Sequence, residues 1–361
     1  MRIDTRLAER LKKVNPSSTL ALNAKANKLK AEGRDIETFA AGEPDFDTPD
    51  FIKAAAIDAI KNGFTKYTPT AGIPELKKAV CEKFKRDNSL EYCLEQIVVS
   101  CGAKHSIFNA LMALVNKGDE VLIPAPYWVS YPEMAHICDG TPRFIYALPE
   151  NNFKITPKDL EKQITPKTKA LLLNSPSNPT GCVYNKDELE QIAKICVKEK
   201  IFVISDEIYE KLIYDGQSHV SIASLNKDIC GLTVTVNGLS KSYSMTGWRI
   251  GYLGASKEIA DAVSKLQDHS TSNPVSISQK AAVAALSAPD DFFAKICEEF
   301  EKRRDYCILR LKKMNKISCV TPRGAFYIFC DISKTGLDSL TFADRLLEET
   351  SVSIIPGLGF G

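Results

Sequence analysis

Histidine and closely spaced cysteine are scarce in this sequence. Only four histidines occur among the 361 residues, and no two stand at the spacing of a metal-binding pair. The eleven cysteines are scattered and include no Cys-x-x-Cys pair. Zinc sites and disulfide frameworks both use regular spacings of these residues. We therefore expect neither a metal nor a disulfide scaffold, and the scattered thiols favour a reducing compartment, the cytoplasm.

The sequence also lacks a charge bias and long hydrophobic runs. Its 47 basic and 45 acidic residues leave a net charge of +2, which gives no electrostatic reason to bind nucleic acid or a membrane surface. No apolar run is long enough to span a bilayer, and the first residues contain no apolar segment of a secretory signal. We expect small molecules as partners.

Short β-branched runs alternate with helical segments through the middle of the chain. The runs are 97–100, 120–123, 143–146, 170–174, 201–205, 233–237 and 250–253. Helical patterns at 103–115 and 186–200 separate some of them. Nearly continuous apolar strands between helices predict an α/β fold, with a mostly parallel seven-stranded sheet covered on both faces.

The two ends of the chain predict a smaller α+β domain. The other predicted helices and the one predicted strand are helices at 7–33, 49–61, 73–86, 256–315 and 341–349, and a strand at 325–331. We divide the chain into an N-terminal arm with part of the small domain at 1–45, a large domain at 46–300, and the rest of the small domain at 301–361.

Unusual residues stand directly after four of the predicted strands. Gly102 follows the first strand, Asn178 follows the fourth, Asp206 and Tyr209 follow the fifth, and Lys241 follows the sixth. Ligands of open α/β sheets bind beyond the carboxyl ends of the strands. We therefore expect these residues to meet at one site.

Each of these positions has an ordinary explanation as well as a functional one. Gly102 and Ala103 could bring backbone N–H groups to a phosphate at a helix N-terminus, or only form a tight turn. Asn178 could donate to a ligand oxygen, or cap its own turn. Asp206 could pair with a protonated pyridine nitrogen, or cap a helix.

Lys241 lies in the most specific segment, 240–251. A desolvated lysine near other cations has a lowered pKa and can form a Schiff base with an aldehyde. Arg249, eight residues later, carries a planar fork suited to phosphate. A lone lysine is usually a solvated surface group, but the small and polar residues around Lys241 argue against that explanation.

Six motifs, taken in order, resemble those of the fold-type-I, class I aminotransferases, and in particular the bacterial aspartate aminotransferases. The motifs are 41–46, 66–69, 126–132, 174–181, 205–209 and 240–251. The resemblance extends over residues 7–361. It implies the fold of the pyridoxal 5′-phosphate-dependent transferases, that cofactor, and transamination with ping-pong kinetics.

The resemblance also implies a role for each matching residue. Lys241 would be the Schiff-base lysine and proton-transfer base, and Asp206 would pair with the pyridine nitrogen. Asn178 and Tyr209 would bind the ring hydroxyl, and Trp128 would stack on the ring. The phosphate would be held by Gly102, Ala103, Ser240 and Arg249.

Further roles concern the substrate and a second subunit. Gly42, Trp128 and Asn178 would line the substrate, and Tyr67 would reach the phosphate of a neighbouring subunit, which implies a homodimer with shared sites. Lys104 would bind the distal carboxylate of an acidic substrate, which favours aspartate with 2-oxoglutarate. The alternative for Lys104 is a solvent-facing position in the first turn of a helix.

Other reactions stay open at this point. Relatives that accept prephenate carry a lysine where this chain has Asn15, which disfavours prephenate here. A broader aminotransferase and a carbon–sulfur lyase share the same cofactor residues. A non-catalytic, DNA-binding relative is disfavoured because the chain has neither an added domain nor a basic bias. Members of the family extend past the position of Gly361 to a carboxylate-binding arginine, so we expect the sequence to be incomplete.

Overall fold

The seven predicted strands form one sheet in the computed structural model, which describes residues 7–14, 18–40, 42–288 and 291–361. In chain order the strands are β1 (Glu37–Thr38), β2 (Ile97–Ser100), β3 (Glu120–Ala125), β4 (Thr141–Tyr146), β5 (Thr168–Asn174), β6 (Phe202–Asp206), β7 (Thr233–Gly238), β8 (Gly251–Gly254), β9 (Ser318–Cys319), β10 (Cys330–Asp331) and β11 (Val352–Ser353). The large sheet has the order β2-β8-β7-β6-β5-β3-β4.

The sheet is mostly parallel, as predicted. Strands β4, β3, β5, β6 and β7 pair in parallel with their neighbours. Strand β8 runs antiparallel to both β7 and β2. The carboxyl ends of β2, β5, β6 and β7 therefore lie at the same edge of the sheet.

Twelve α-helices lie in the described part of the chain. They are α1 (Ser18–Ala31), α2 (Asp50–Lys61), α3 (Pro74–Asn88), α4 (Ala103–Leu114), α5 (Ser130–Ile137), α6 (Pro157–Gln163), α7 (Lys186–Glu199), α8 (Lys227–Leu232), α9 (Lys257–Asp268), α10 (Ser276–Leu286), α11 (Asp291–Leu311) and α12 (Ser339–Thr350). Short 3₁₀ segments are Glu9–Lys13, Leu94–Gln96, Pro149–Asn151, Ile222–Ser224, Thr246–Trp248, Ser333–Thr335 and Gly357–Phe360.

Helices cover both faces of the sheet, and β5 shows why its sequence is apolar throughout. Leu172 packs into the cluster that contains residues of α4 and α9. Leu171 and Leu173 point the other way, into the cluster that contains residues of α7. Successive side chains of a strand alternate between faces, so a strand buried on both sides must be apolar at every position.

Three predicted elements were wrong in extent. Residues 325–331 were predicted as one strand, but only Cys330–Asp331 is a strand. Ala325 has a φ of +55°, which is incompatible with extended backbone, and its N–H donates to Leu212 O. The helical stretch 256–315 is three helices, α9 to α11. The arm at 7–33 holds a 3₁₀ turn and α1, with Gly33 at φ +90° beyond its end.

The two ends of the described chain lie together. Strand β1 pairs in parallel with β11, and Arg34 Nη2 donates to Leu347 O at 3.1 Å. These contacts agree with a small domain built from both termini, although its boundaries stay a prediction. Among the described residues, no helix combines the length and apolar character that a membrane crossing requires.

Candidate active site

The strand ends that carry the predicted site residues are aligned by the sheet register. Asp206, the last residue of β6, is paired with Asn174 at the end of β5. Gly251 is paired with Ser100 at the end of β2 and with Gly238 at the end of β7. The segments that follow these strands therefore converge at one edge, as expected from the sequence.

Lys241 lies three residues beyond β7, and its side chain turns toward this edge. The ammonium donates a hydrogen bond to Gly42 O. It lies 5.8 Å from the centre of the Tyr209 ring and 5.7 Å from that of Phe326. Lys241 is thus enclosed by aromatic rings and backbone, and the explanation as a solvated surface group is wrong.

The surroundings of Lys241 make its ammonium unusually acidic. Burial lowers its pKa to about 8, the carboxylates of Glu43 and Asp206 oppose this change, and the cationic side chains of Arg249 and Lys104 add to it. With that pKa, the Lys241 amine is uncharged in about a tenth of the protein molecules at pH 7. A free amine in this position can act as a nucleophile and as a base.

The carboxylate of Asp206 is buried and has few hydrogen-bond donors among the described residues. Its side chain accepts hydrogen bonds from Tyr131 Oη at 2.7 Å and from Ile208 N at 3.3 Å. Burial raises its pKa to about 6, although the bond from Tyr131 lowers it. The segment after Asp206 is a turn rather than an α-helix, so the helix-cap alternative is wrong. A buried carboxylate of this kind is stabilised by a cationic N–H partner.

Two side chains converge on the hydroxyl of Tyr209. Asn178 lies near enough to lower the pKa of Tyr209, and Tyr327 Oη lies 2.5 Å from Tyr209 Oη. Asn178 is itself held by its N–H, which donates to Asn174 Oδ1 at 2.8 Å. Burial raises the pKa of Tyr209 well above its ordinary value, so its phenol stays neutral and retains a proton to donate.

Small residues bring Arg249 against the start of α4. Gly102 precedes the helix with a φ of +96°, and a Cβ on it would lie 2.6 Å from Arg249 Nη2. A Cβ on Gly251 would lie 2.1 Å from Ala103 N. The guanidinium is oriented by Nη1, which donates to Thr246 O at 2.8 Å. A guanidinium beside a helix N-terminus forms an anion site.

Lys104 is directed toward the site. Its ammonium lies 4.6 Å from the centre of the Trp128 ring, a cation–π contact. Desolvation, followed by repulsion from Arg249, lowers the pKa of Lys104. The Trp128 ring in turn meets Tyr131 edge-on, with centroids 5.3 Å apart. Lys104 is exposed in the first turn of α4, and its ammonium nevertheless lies over the Trp128 ring, so its role as a carboxylate-binding residue stays a prediction.

The other predicted residues differ in their placement. Ser240 is buried, two residues after β7. Gly42 contacts Lys241 through its carbonyl, and a Cβ on it would lie 3.2 Å from Tyr327 Oη. Tyr67 is 91% exposed. Asn15 and Ala41 lie outside the described residues.

Buried charges support the turn that carries Asp206 and Tyr209. Glu207 accepts hydrogen bonds from Ser205 Oγ at 2.8 Å and Ser221 Oγ at 2.7 Å. Glu210 forms an ion pair with Lys83, and both side chains are at most 4% exposed. The sequence analysis gave no role to these residues or to Tyr131 and Tyr327, because the partners of Glu210, Tyr131 and Tyr327 are distant in the chain.

Comparison with known proteins agrees with this geometry. The model of the family "Aminotransferase class I and II" matches residues 34–361. The aspartate aminotransferase of Bacillus sp. (strain YM-2) is 49% identical over 98% of this chain and 92% of its own length. The probable aspartate/prephenate aminotransferase of Rickettsia conorii is also 49% identical, over 98% of this chain and 91% of its own.

A solved structure is similar over the same extent. The aspartate aminotransferase from Thermus thermophilus with maleate has a TM-score of 0.94 and 42% sequence identity, covering 98% of this chain and 92% of that one. Sequence, fold and site geometry lead to the same assignment. This chain belongs to the class I and II aminotransferase family.

Proposed function

We propose that this protein is a pyridoxal 5′-phosphate-dependent aminotransferase that converts L-aspartate and 2-oxoglutarate to oxaloacetate and L-glutamate. One observation carries the proposal. The acidified ammonium of Lys241 and the buried carboxylate of Asp206 lie at the same sheet edge, close enough for each charge to act on the other. A nucleophilic amine beside a buried acid is what an aldehyde-bearing pyridine cofactor requires.

The described residues fit the chemical groups of this cofactor. Gly102 leaves room beside Arg249 that any side chain at position 102 would fill, so a phosphate can approach both the guanidinium and the helix N-terminus. Asp206 has a raised pKa and, within the described part of the chain, accepts hydrogen bonds only from the neutral donors Tyr131 Oη and Ile208 N, so the pyridinium N–H would be its cationic donor. Tyr209 and Asn178 offer donors for the ring oxygen.

When bound, pyridoxal phosphate supplies a protonated ring that stabilises negative charge at the Cα of the substrate. Asp206 keeps the proton on the ring nitrogen by its own negative charge. Lys241 Nζ provides the amine that carries the cofactor and takes up the proton from the substrate Cα. Arg249 neutralises the phosphate and orients it.

The substrate proposal depends on Lys104. Its ammonium stands over the Trp128 ring and the residue is exposed, so it can attract the side-chain carboxylate of a dicarboxylic substrate. Aspartate and 2-oxoglutarate both carry that second carboxylate, so one cation serves both halves of a ping-pong reaction. The names of the related enzymes support the same substrate, and maleate, present in the related structure, is a dicarboxylate.

A homodimer with shared sites forms part of this proposal. Tyr67 is 91% exposed, so its ring and hydroxyl are available for contact with a second subunit. We infer that Tyr67 contacts the cofactor phosphate of a second subunit. The scattered unpaired cysteines support the cytoplasm as the compartment.

A substrate screen tests the function. Protein saturated with pyridoxal phosphate is incubated with aspartate, alanine, phenylalanine or glutamate as donor and with 2-oxoglutarate or prephenate as acceptor. We expect equimolar oxaloacetate and glutamate from the first pair, with parallel lines in double-reciprocal plots. Release of ammonia and pyruvate from cystathionine, which carries a thiol leaving group on its Cβ, with no glutamate formed from any of the four donors, would instead identify a lyase and refute the proposal.

A further inference from the structure

Two cysteines of the C-terminal region face each other across a strand pair. Cys319 in β9 and Cys330 in β10 are Cα partners in an antiparallel register. Directly opposed residues in such a pair have Cα atoms about 4.5–5.5 Å apart, which lies inside the range that a disulfide spans. Both thiols are partly exposed, so a small reagent can reach them.

The two thiols differ in acidity. A hydrogen bond with Cys330 lowers the pKa of Cys319 to about 7 against the effect of its burial, and the positive charge of Lys312 also lowers it. The same contact raises the pKa of Cys330. Burial raises the pKa of Cys307, which lies nearby. The thiolate is the reactive form, and the positive charge of Lys312 acts on Cys319, which favours Cys319 as the nucleophile of the pair.

We propose that Cys319 and Cys330 form a thiol–disulfide exchange site that reacts with small disulfides such as glutathione disulfide and closes reversibly to a cross-strand disulfide. The site is separate from the proposed catalytic residues and does not depend on the proposed function. It adjoins them, however, because Tyr327, the partner of Tyr209, lies three residues before Cys330 in the same segment.

The exchange proceeds in two balanced steps. The Cys319 thiolate attacks one sulfur of glutathione disulfide, whose S–S bond breaks, and one glutathione leaves as a thiolate. Cys330 then loses its proton to water and attacks Cys319 Sγ, which releases the second glutathione. Overall, the two protein thiols lose two electrons and two protons, and glutathione disulfide is reduced to two glutathione molecules.

Mass spectrometry tests the site directly, because trypsin separates the three cysteines. Cleavage after Lys316, Arg323 and Lys334 places Cys319 in peptide 317–323 and Cys330 in peptide 324–334. Cys307 lies in peptide 305–310. The protein, saturated with pyridoxal phosphate, is equilibrated with mixtures of reduced and oxidised glutathione, quenched with iodoacetamide and digested. We expect peptides 317–323 and 324–334 to appear joined, and to separate again after treatment with dithiothreitol.

Two variants and an alkylation rate test which cysteine reacts first. In Cys330→Ser, Cys319 should accumulate the glutathione adduct, whereas in Cys319→Ser, Cys330 should stay unmodified. In wild-type protein at pH 7, iodoacetamide should modify Cys319 about tenfold faster or more than Cys307, as the thiolate fractions require. Thermal melting of each variant shows that it is folded.

Several results would overturn the inference. One is a joined peptide that contains Cys307 in place of either proposed partner. Another is a wild-type protein in which Cys319 carries glutathione and never closes onto Cys330. A third is equal oxidation of Cys319 and the exposed Cys93 with no joined peptide at any glutathione ratio.

Discussion

The hydroxyls of Tyr209 and Tyr327 lie 2.5 Å apart, although 118 residues separate them in the chain. Burial raises the pKa of both phenols, so both stay neutral and one donates to the other. Tyr327 also stands against Gly42, whose carbonyl accepts the hydrogen bond from Lys241. This contact joins the C-terminal region of the chain to the turn after β6 and to the reactive lysine.

Removal of the Tyr327 hydroxyl should weaken cofactor binding without unfolding the protein. Tyr327→Phe keeps the ring packing and deletes one hydrogen bond, worth about 0.5–1.5 kcal/mol. We expect a two- to tenfold weaker affinity for pyridoxal phosphate, measured by fluorescence titration of apoprotein. Tyr306→Phe, on the exposed surface of α11, is the control and should have no effect. An unchanged affinity in Tyr327→Phe would show that Tyr209 is positioned by Asn178 alone.

The lowered pKa of Lys241 predicts the pH dependence of cofactor attachment. Only the uncharged amine attacks an aldehyde, so the rate of covalent attachment to apoprotein should rise about tenfold per pH unit up to pH 8 and then level off. The adduct can be trapped with borohydride and counted by mass spectrometry. Lys241→Ala should form none. A rate that keeps rising toward pH 10 would mean that the amine titrates like a solvated lysine.

The raised pKa of Asp206 predicts a cost to the stability of apoprotein. The native state binds this proton more tightly than the unfolded chain, whose aspartate titrates near 3.8. Stability is therefore lost as the pH rises through the interval from about 4 to 6. A pKa shift of two units corresponds to about 3 kcal/mol in the free energy of unfolding. Roughly half of this contribution is lost above pH 5.

Asp206→Asn isolates this contribution. The free energy of unfolding of the wild type, relative to that of the variant, should fall by about 1.4 kcal/mol between pH 5 and pH 8. Urea denaturation of both apoproteins at the two pH values measures the difference. Any constant cost of the buried amide cancels in the comparison. A difference that does not change with pH would show that Asp206 is not the titrating group.

Lys104→Ala should change substrate preference more than overall activity. If the ammonium binds the distal carboxylate, the kcat/KM for aspartate should fall about 10- to 100-fold, which corresponds to a lost charged hydrogen bond of about 1.5–3 kcal/mol. The residual rates with alanine and phenylalanine should hardly change. Equal losses with all three donors would assign Lys104 to the phosphate or to packing around Trp128 instead.

Breaking the buried ion pair between Lys83 and Glu210 should lower the free energy of unfolding far more than breaking a surface pair. Burial alone would raise the pKa of Glu210, but Lys83 reverses the effect, so that the pKa is lowered. Lys83→Met leaves this carboxylate buried without its partner, and the free energy of unfolding should fall by about 3–5 kcal/mol.

Lys85→Met is the matched control for that variant. Lys85 lies in the same helix and pairs with Glu91, but its side chain is 71% exposed. An exposed pair contributes little to stability, so the urea midpoint should stay where it is in the wild type. Similar midpoints for the two variants would mean that the buried network does not support the turn after β6.

Much of the fold follows from patterns that are local in the sequence. The continuous apolar run that contains Leu171, Leu172 and Leu173 predicted a strand buried on both faces, and the structure packs these side chains alternately against two helical layers. The residues after each strand end then predicted where Lys241, Asp206 and Asn178 would meet. A parallel sheet places its carboxyl ends at one edge whatever the connections are.

Prediction from local sequence failed where a distant contact determines the backbone conformation. The apolar segment 325–331 has the composition of a strand, but Ala325 takes a left-handed φ of +55° because its N–H bonds to Leu212. Nothing within a few residues of Ala325 carries that information. The breaks in the helical stretch 256–315 differ, because Pro274 and Pro289 are local helix breakers that the prediction overlooked.

The sequence by itself thus determined the sheet and the edge at which the predicted site residues lie, since those depend on the period of the strands and on side-chain chemistry. Only the tertiary structure decided how these residues titrate and what supports them. The hydrogen bond from Tyr131 to Asp206 spans 75 residues, and Cys319 meets Cys330 through a strand register. The acidity of Lys241 comes from burial and from charges brought together by folding, and these exist only once the chain is packed.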